Sequence, residues 1–200
     1  MSEPARVAVL VSGGGRTLEN LAEKIAAGEL PCRIGLVLSN RADAFALERA
    51  RRLELPRVVV DPASEMPVAE FSRQVFAQIE AHGCEHAVLA GFLRLLALPD
   101  AWLGRVLNIH PALLPAFGGK GYYGERVHRA VLERGMEFTG CTVHYVDDEY
   151  DAGPIVLQRR IPVLPDDTVE SLAARVFEEE KIALPQALRM HLSGEVRFRP

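Results

Sequence analysis

The first half of this chain repeats one pattern: a short apolar run, an amphipathic stretch, then another run. The runs are Arg6–Ser12 (RVAVLVS), Arg33–Ser39 (RIGLVLS), Arg57–Val60, His86–Ala90 and Arg105–Ile109. They are rich in β-branched residues and lack the in–out alternation of a half-exposed strand. Each therefore reads as a strand buried on both faces, which is what a parallel sheet covered by helices requires. Between them, Thr17–Ala27, Ala42–Leu53 and Val68–Ala81 set Leu18, Leu21, Ile25, then Phe45, Leu47, Ala50, then Phe71, Val75, Ile79 at helical spacing. Strand and helix in alternation predict right-handed βαβ units, hence an α/β fold with a doubly wound, mostly parallel sheet.

After Ile109 the pattern changes. A Gly/Pro-rich loop, Pro111 to Gly124, leads to a helix at about Glu125–Arg134. Two strand-like runs follow, Thr139–Val146 and Ile155–Val163, joined by an acidic turn that contains Gly153-Pro154. So short a connection predicts an antiparallel hairpin at the C-terminal end of the sheet. A long final helix is expected over about Thr168–Leu192, with Asp166-Asp167-Thr168 as its start signal. Neither a repeat nor a linker breaks the pattern, so residues 1–200 read as a single domain.

Composition narrows the function classes. The chain has 23 basic and 27 acidic residues, a net charge of -4, so no basic field points to nucleic acid as a partner. No apolar run approaches the roughly 20 residues that span a bilayer. The start, Met1 to Val11, is too short and poorly flanked for a signal peptide. Cys32, Cys84 and Cys141 form no CxxC pair and read as reduced, buried thiols. A cytoplasmic protein with small-molecule partners, no nucleic acid and no membrane is the expectation; the sequence gives no oligomeric state.

Three motifs carry chemistry. Ser12-Gly13-Gly14-Gly15-Arg16-Thr17 lies between the first strand and first helix, where backbone N–H groups converge on a helix N-terminus and favour an anion such as phosphate. It is neither the dinucleotide fingerprint, whose third glycine would fall at Leu18, nor a Walker A loop. Asn108-Ile109-His110-Pro111 ends the fifth strand, the edge at which open α/β sheets bind ligands. Asn108 and His110 share one face of an extended chain, so an amide donor and an imidazole point the same way. Such a pair can bond a developing oxyanion and move a proton near neutral pH. The acidic turn Asp147-Asp148-Glu149-Tyr150-Asp151 lacks calcium-loop spacing, since Ala152 and Gln158 stand where glycine and glutamate are needed. One of its acids could orient or charge His110; spacing alone does not say which. His144 in the hairpin reads as a packed or hydrogen-bonded residue, and His128 as an ordinary helix residue. No metal site is expected.

Asn108-Ile109-His110-Pro111-Ala112-Leu113-Leu114-Pro115, Ala90-Gly91-Phe92-Leu93-Arg94-Leu95-Leu96, Thr142-Val143-His144 and Asp151-Ala152-Gly153-Pro154-Ile155 together resemble, in order, the motifs of the folate-dependent formyltransferases. The resemblance implies a Rossmann-like formyltransferase fold. Its nearest branch implies formyl transfer from 10-formyltetrahydrofolate, a co-substrate, to the amine of 5'-phosphoribosylglycinamide in purine synthesis, without a metal. It implies Asn108, His110 and Asp151 as catalytic residues. Gly15, Arg16 and Thr17 would hold the substrate phosphate, and Glu180 on the last helix would read the ribose hydroxyls. Leu93, Arg94, Leu95 and Leu96, with Asn108, would line the folate site.

Three departures from the family pattern stand out. The loop reads Gly15-Arg16-Thr17-Leu18 where Gly-Ser-Asn-Leu is usual. An arginine often used near the folate aligns with Val68, so that role is not carried over. The loop Ala116–Gly124 is enlarged, and reads more as a packed surface loop than as a lid. The resemblance also leaves two other readings open, a 10-formyltetrahydrofolate hydrolase and a non-catalytic binding module. Relatives acting on methionyl-tRNA or hydrolysing the folate carry an added domain, which the length of this chain is expected to exclude.

Overall fold

The computed structural model describes residues 3–62 and 65–198. The chain divides into two compact units, one through Leu107 and one from Asn108.

The first unit holds β1 (Ala5–Val11), α1 (Arg16–Ala26), β2 (Cys32–Ser39), α2 (Phe45–Arg52), β3 (Arg57–Val59), α3 (Val68–Ala81) and β4 (His86–Leu89). β5 (Val106–His110) begins here and continues into the second unit. The strand order is β3-β2-β1-β4, with β1 parallel to both β2 and β4 and β2 parallel to β3. The chain thus leaves β1 on one side and later returns to its other side. That makes the C-terminal end of β1 a topological switch point, where two crossovers part and leave room for a ligand. Ser12–Thr17 is the loop at that point. The strands are apolar on both faces because helices cover both: Val9, Leu10, Leu36, Leu38 and Val88 are fully buried, as are Leu18 from α1 and Phe71 and Ile79 from α3. Each such side chain contributes about 1.5–3 kcal/mol.

The second unit holds the last residues of β5, then α4 (Glu125–Glu133), β6 (Phe138–Tyr145), β7 (Ile155–Pro162) and α5 (Val169–Leu192). β6 and β7 pair antiparallel, Thr139 opposite Ile161 and Val143 opposite Leu157. α5 packs on this hairpin and α4 packs on α5. Thr168 caps α5 as a capping box: its hydroxyl accepts from the Ser171 N–H and the Ser171 hydroxyl accepts from the Thr168 N–H. Leu172, Val176, Ala183, Leu184 and Leu188 form the buried stripe of α5.

The α/β class, the mostly parallel strands, the C-terminal antiparallel hairpin and the long final helix follow the sequence expectation. The differences are at element ends: β3 stops at Val59 and β7 at Pro162. The three cysteines are free and buried, and burial pushes the Cys32 and Cys84 thiols up to about 11 and Cys141 to about 12. Among the described residues, no helix is long and apolar enough to cross a membrane.

Gly140 is a glycine that the paired strands cannot exchange. A Cβ there would lie 1.8 Å from the Arg159 carbonyl oxygen of the facing strand, inside any contact distance. Gly140→Ala is expected to force β6 and β7 apart and to cost more than about 2 kcal/mol. Thermal melting checks this against Gly28→Ala, a left-handed glycine with open space around it, which is expected to cost only about 1 kcal/mol.

Candidate active site

Asp151 is the centre of a polar cluster in the second unit. It follows the β6 end in the turn before β7 and adopts a left-handed backbone (φ 57), a conformation that Asp tolerates better than most residues. Gly153 lets this turn close, because a Cβ there would sit 2.0 Å from the Tyr145 carbonyl oxygen. The Asp151 carboxylate, 10% exposed, then faces the end of β5. Asn108 Nδ2 donates to Oδ1 at 3.2 Å, and the Gly119 N–H donates to Oδ2 at 3.0 Å. His110 Nδ1 lies 3.4 Å from Oδ2 and His144 Nε2 lies 3.6 Å from Oδ1. The expected meeting of Asn108, His110 and Asp151 is what the second unit contains.

The backbone fixes both imidazoles. His110 Nε2 is 2.8 Å from the Phe117 carbonyl, which can only accept, so Nε2 carries the proton. In the neutral ring the Nδ1 lone pair therefore faces the carboxylate, and a proton added there would complete an ion pair. His144 Nδ1 likewise donates to the Tyr145 carbonyl at 2.8 Å. Its Nε2 is then an acceptor and takes the second N–H of the Asn108 amide, at 3.0 Å. Asn108 is thus oriented by two acceptors, one on each amide hydrogen; a flipped amide would set its oxygen against the carboxylate.

Charge follows from this arrangement. Burial holds the His110 imidazole below its ordinary value, with Asp151 and the Phe117 carbonyl pulling the other way. Burial pushes Asp151 up, but the polar groups around it outweigh that, and the carboxyl sits below its ordinary value. The cluster at neutral pH is a neutral imidazole beside a carboxylate, ready to take one proton.

Sequence reasoning missed two supports. His144 and Thr142 are alternate residues of β6 and so share a face. Thr142 Oγ1 donates to the Ala112 carbonyl at 2.7 Å and accepts from the Leu114 N–H at 3.0 Å, fixing the chain just after His110. The period-two spacing of Thr142 and His144 was visible; their partner was not. The loop after Pro115 is the second. Phe117 and Gly119 bond His110 and Asp151 through backbone atoms, which no side-chain motif announces. The loop is packed: Phe117 meets the Tyr122 ring edge-on at 6.2 Å and the Arg134 guanidinium at 4.9 Å. His128, read as an ordinary helix residue, is buried on α4; burial and the charge of His110 push it down to about 4. Glu180 lies half-buried on α5, with its charge felt by the Cys141 thiol.

In the first unit the glycine loop separates acceptors from donors. The Gly13 carbonyl accepts from the Ala46 N–H at 3.0 Å, Gly14 from Arg49 Nε at 2.8 Å and Gly15 from the Glu19 N–H at 3.1 Å. Among the described residues the N–H groups of Gly13, Gly14, Gly15 and Thr17 have no acceptor. Exposed donors with bonded carbonyls, at the start of an eleven-residue helix, make an anion cradle. Arg16 is exposed at the first helical position. Ser12 ties this loop to the neighbouring segment: its hydroxyl donates to Asn40 Oδ1 at 2.6 Å and accepts from the Leu93 N–H at 2.9 Å. In that segment Leu93 is half exposed, while the Leu96 side chain is core, 2% exposed, and offers a ligand only its backbone. The Arg94 guanidinium turns inward, 5.0 Å from the Phe71 ring and bonded to the Met66 carbonyl. Val68 opens α3 with a partly exposed side chain. Among the described residues, no group of three or more His, Cys, Asp or Glu could hold a metal ion.

Comparison with known proteins gives this geometry a context. The model of a family described as formyl transferase matches residues 5–188. The chain is 42% identical over 96% of its length to a trifunctional purine biosynthetic protein, adenosine-3, of Gallus gallus, and spans 19% of that protein. It is 42% identical over 89% of its length to a chloroplastic phosphoribosylglycinamide formyltransferase of Arabidopsis thaliana, and spans 63% of it. The crystal structure of glycinamide ribonucleotide transformylase 1 from Symbiobacterium toebii superposes with a TM-score of 0.90 at 40% identity, covering 97% of this chain and 90% of that one.

Two measurements test the electrostatics. In Asp151→Asn the carboxylate that raises the His110 pKa is gone, so the His110 titration midpoint is expected to fall further, read from its imidazole C–H resonances. Acid stability has a definite sign as well. His110 and His128 are depressed in the folded state, so the unfolded chain takes up protons first as the pH falls. Stability is expected to drop as the pH goes from 6.5 toward about 4, the His128 window, and His128→Gln should flatten that part of the melting-temperature profile.

Proposed function

Because the chain belongs to the formyl transferase family, we propose that it transfers the formyl group of 10-formyltetrahydrofolate to the glycinamide amine of 5'-phosphoribosylglycinamide, a step of purine synthesis. In this reading residues 1–200 act as one formyltransferase domain in the cytoplasm; the span of the family match supports that extent. The observation that carries the reading is the buried Asp151 carboxylate within reach of both Asn108 and His110.

The steps follow from what these groups can do. The amine nitrogen attacks the formyl carbon, a C–N bond forms, and negative charge develops on the formyl oxygen. Asn108 supplies an oriented amide donor for that oxygen, exchanging one of its present bonds for it; a donor of this kind is worth roughly 3 kcal/mol in the transition state. The attacking nitrogen must lose a proton, and the leaving folate nitrogen must gain one. His110 Nδ1, a lone pair against a carboxylate, takes the first and returns it to the second, with Asp151 balancing the imidazolium between the two events. The bond from the folate nitrogen to the formyl carbon then breaks, and tetrahydrofolate leaves.

The other residues bind the two substrates. The amides of Gly15 and Thr17, with Arg16, hold the 5'-phosphate, and Glu180 accepts from the ribose hydroxyls. Leu93, Arg94, Leu95 and Leu96, together with Asn108, form the folate side, where Leu96 contributes through its backbone and Arg94 through the shape of its segment. The free donors of the glycine loop support the phosphate assignment.

The test is a spectrophotometric assay of tetrahydrofolate release with and without the ribonucleotide. Release only in its presence is expected; release without it would make the protein a hydrolase. His110→Ala and Asp151→Asn are each expected to lower kcat by about 10²–10⁴ with little change in either KM. Unchanged turnover in one of these variants would take that residue out of the mechanism.

A further inference from the structure

We propose that Arg49, on α2, is a positioning residue of the phosphate-binding loop: by bonding the Gly14 carbonyl it holds the following N–H, that of Gly15, toward the anion. This rests on the proposed assignment of the loop to the substrate phosphate.

Steric constraint does not fix the loop at Gly13 or Gly14. An added Cβ at Gly13 or Gly14 would meet nothing within 4 Å, and neither glycine has a positive φ. Without side chains or neighbours, a peptide plane between glycines can turn over at little cost. A turned plane would present a carbonyl oxygen where the loop must present an N–H, and would repel an anion. Something other than packing must therefore hold these planes.

The observed anchors all come from one side. The Ala46 N–H, at the start of α2, bonds the Gly13 carbonyl at 3.0 Å. Arg49 Nε, one helical turn on, bonds the Gly14 carbonyl at 2.8 Å. In a trans peptide the C=O and the next N–H point in opposite directions. Two carbonyls held by α2 thus send the N–H groups of Gly14 and Gly15 away from α2, side by side. Gly15 completes the fit: its φ is 78, and a Cβ would lie 2.6 Å from the Ala46 Cβ, so the loop rests directly on α2.

Arg49 itself is held. Its Nη1 pairs with Glu19 of α1, and its guanidinium lies 5.1 Å from the centre of the Phe45 ring. The ion pair offsets the arginine charge locally, so what Arg49 gives the loop is a fixed donor more than a free cation. Ala46 provides a backbone N–H whatever its side chain. Arg49 is the anchor that a substitution can remove.

Chemistry supplies a clean variant pair. Glutamine carries its Nε2 the same number of bonds from Cα as the arginine Nε. Arg49→Gln therefore keeps a donor at the Gly14 carbonyl without the charge, and Arg49→Met keeps the length without the donor. In the full-length protein, Arg49→Met is expected to raise the KM for the ribonucleotide about tenfold, the worth of one hydrogen bond. The KM for the folate and kcat should stay within about twofold. Arg49→Gln should stay within about threefold of the parent. With glycinamide riboside, which lacks the 5'-phosphate, the parent itself should be poor and Arg49→Met should add no further loss. Titration of the unaltered protein with inorganic phosphate should shift the Gly14 and Gly15 amide resonances, a readout that needs no variant to fold.

An equal loss on both substrates, a parallel rise in the folate KM, or Arg49→Gln as poor as Arg49→Met would overturn the proposal, as would a Gly15 amide unmoved by phosphate. A parent enzyme that treats the riboside and the ribonucleotide alike would remove the phosphate assignment, and this inference with it. A parent that discriminates strongly while Arg49→Met does not respond would remove the inference alone.

Discussion

One buried carboxylate organises the second unit. Asp151 accepts hydrogen bonds from the Asn108 amide and the Gly119 N–H and stands beside two imidazoles. A carboxylate removed from water is costly unless its lone pairs are met by donors or charge. The strand end, the hairpin and the loop after Pro115 each meet part of that demand. The same demand orients the amide of Asn108 and leaves His110 Nδ1 as the one place where a proton would complete the pairing. Stability and chemistry are joined here: the group that fixes the geometry is also the group that balances a transient positive charge.

A comparable economy of backbone groups runs through the first unit. Where β1 ends, the loop must turn three carbonyls inward and leave its N–H groups outward. The helix it opens takes one carbonyl, and the next helix takes the other two through a backbone N–H and the arginine side chain. Among the described residues the result is a row of N–H donors, at Gly13, Gly14, Gly15 and Thr17, without acceptors, which is what a multiply charged anion requires. Ser12 extends the economy to the neighbouring segment, since one hydroxyl both donates to Asn40 and accepts from Leu93.

Much of the site was legible in the residues. Asn108 and His110 are two apart in a strand, so their common face follows from the pleat alone. The glycine loop announced itself by its place between a strand and a helix. Asp151 was not separable from its acidic neighbours by spacing, and only the resemblance to a family singled it out. In the structure its left-handed backbone and the close approach of Gly153 to Tyr145 make the difference. His144 was read as packed, and it is; what the reading lacked was its partner, the second hydrogen of the Asn108 amide. Leu96 and Arg94 show the opposite case: an apolar segment suited to a flat ligand turns one side chain into the core and another onto Phe71.

The sequence by itself determined the elements and their class. Apolar periodicity is a local property, and it is enough to say strand or helix, parallel or antiparallel, and which ends carry polar groups. Only the tertiary structure decided which backbone atoms serve the site. The Phe117 carbonyl fixes the proton on His110, the Gly119 N–H steadies Asp151, and Arg49 reaches back 35 residues to a glycine carbonyl. Every residue but proline carries the same N–H and every residue the same C=O, so nothing in the letters marks the few that matter. Their selection depends on where segments distant in sequence come to rest.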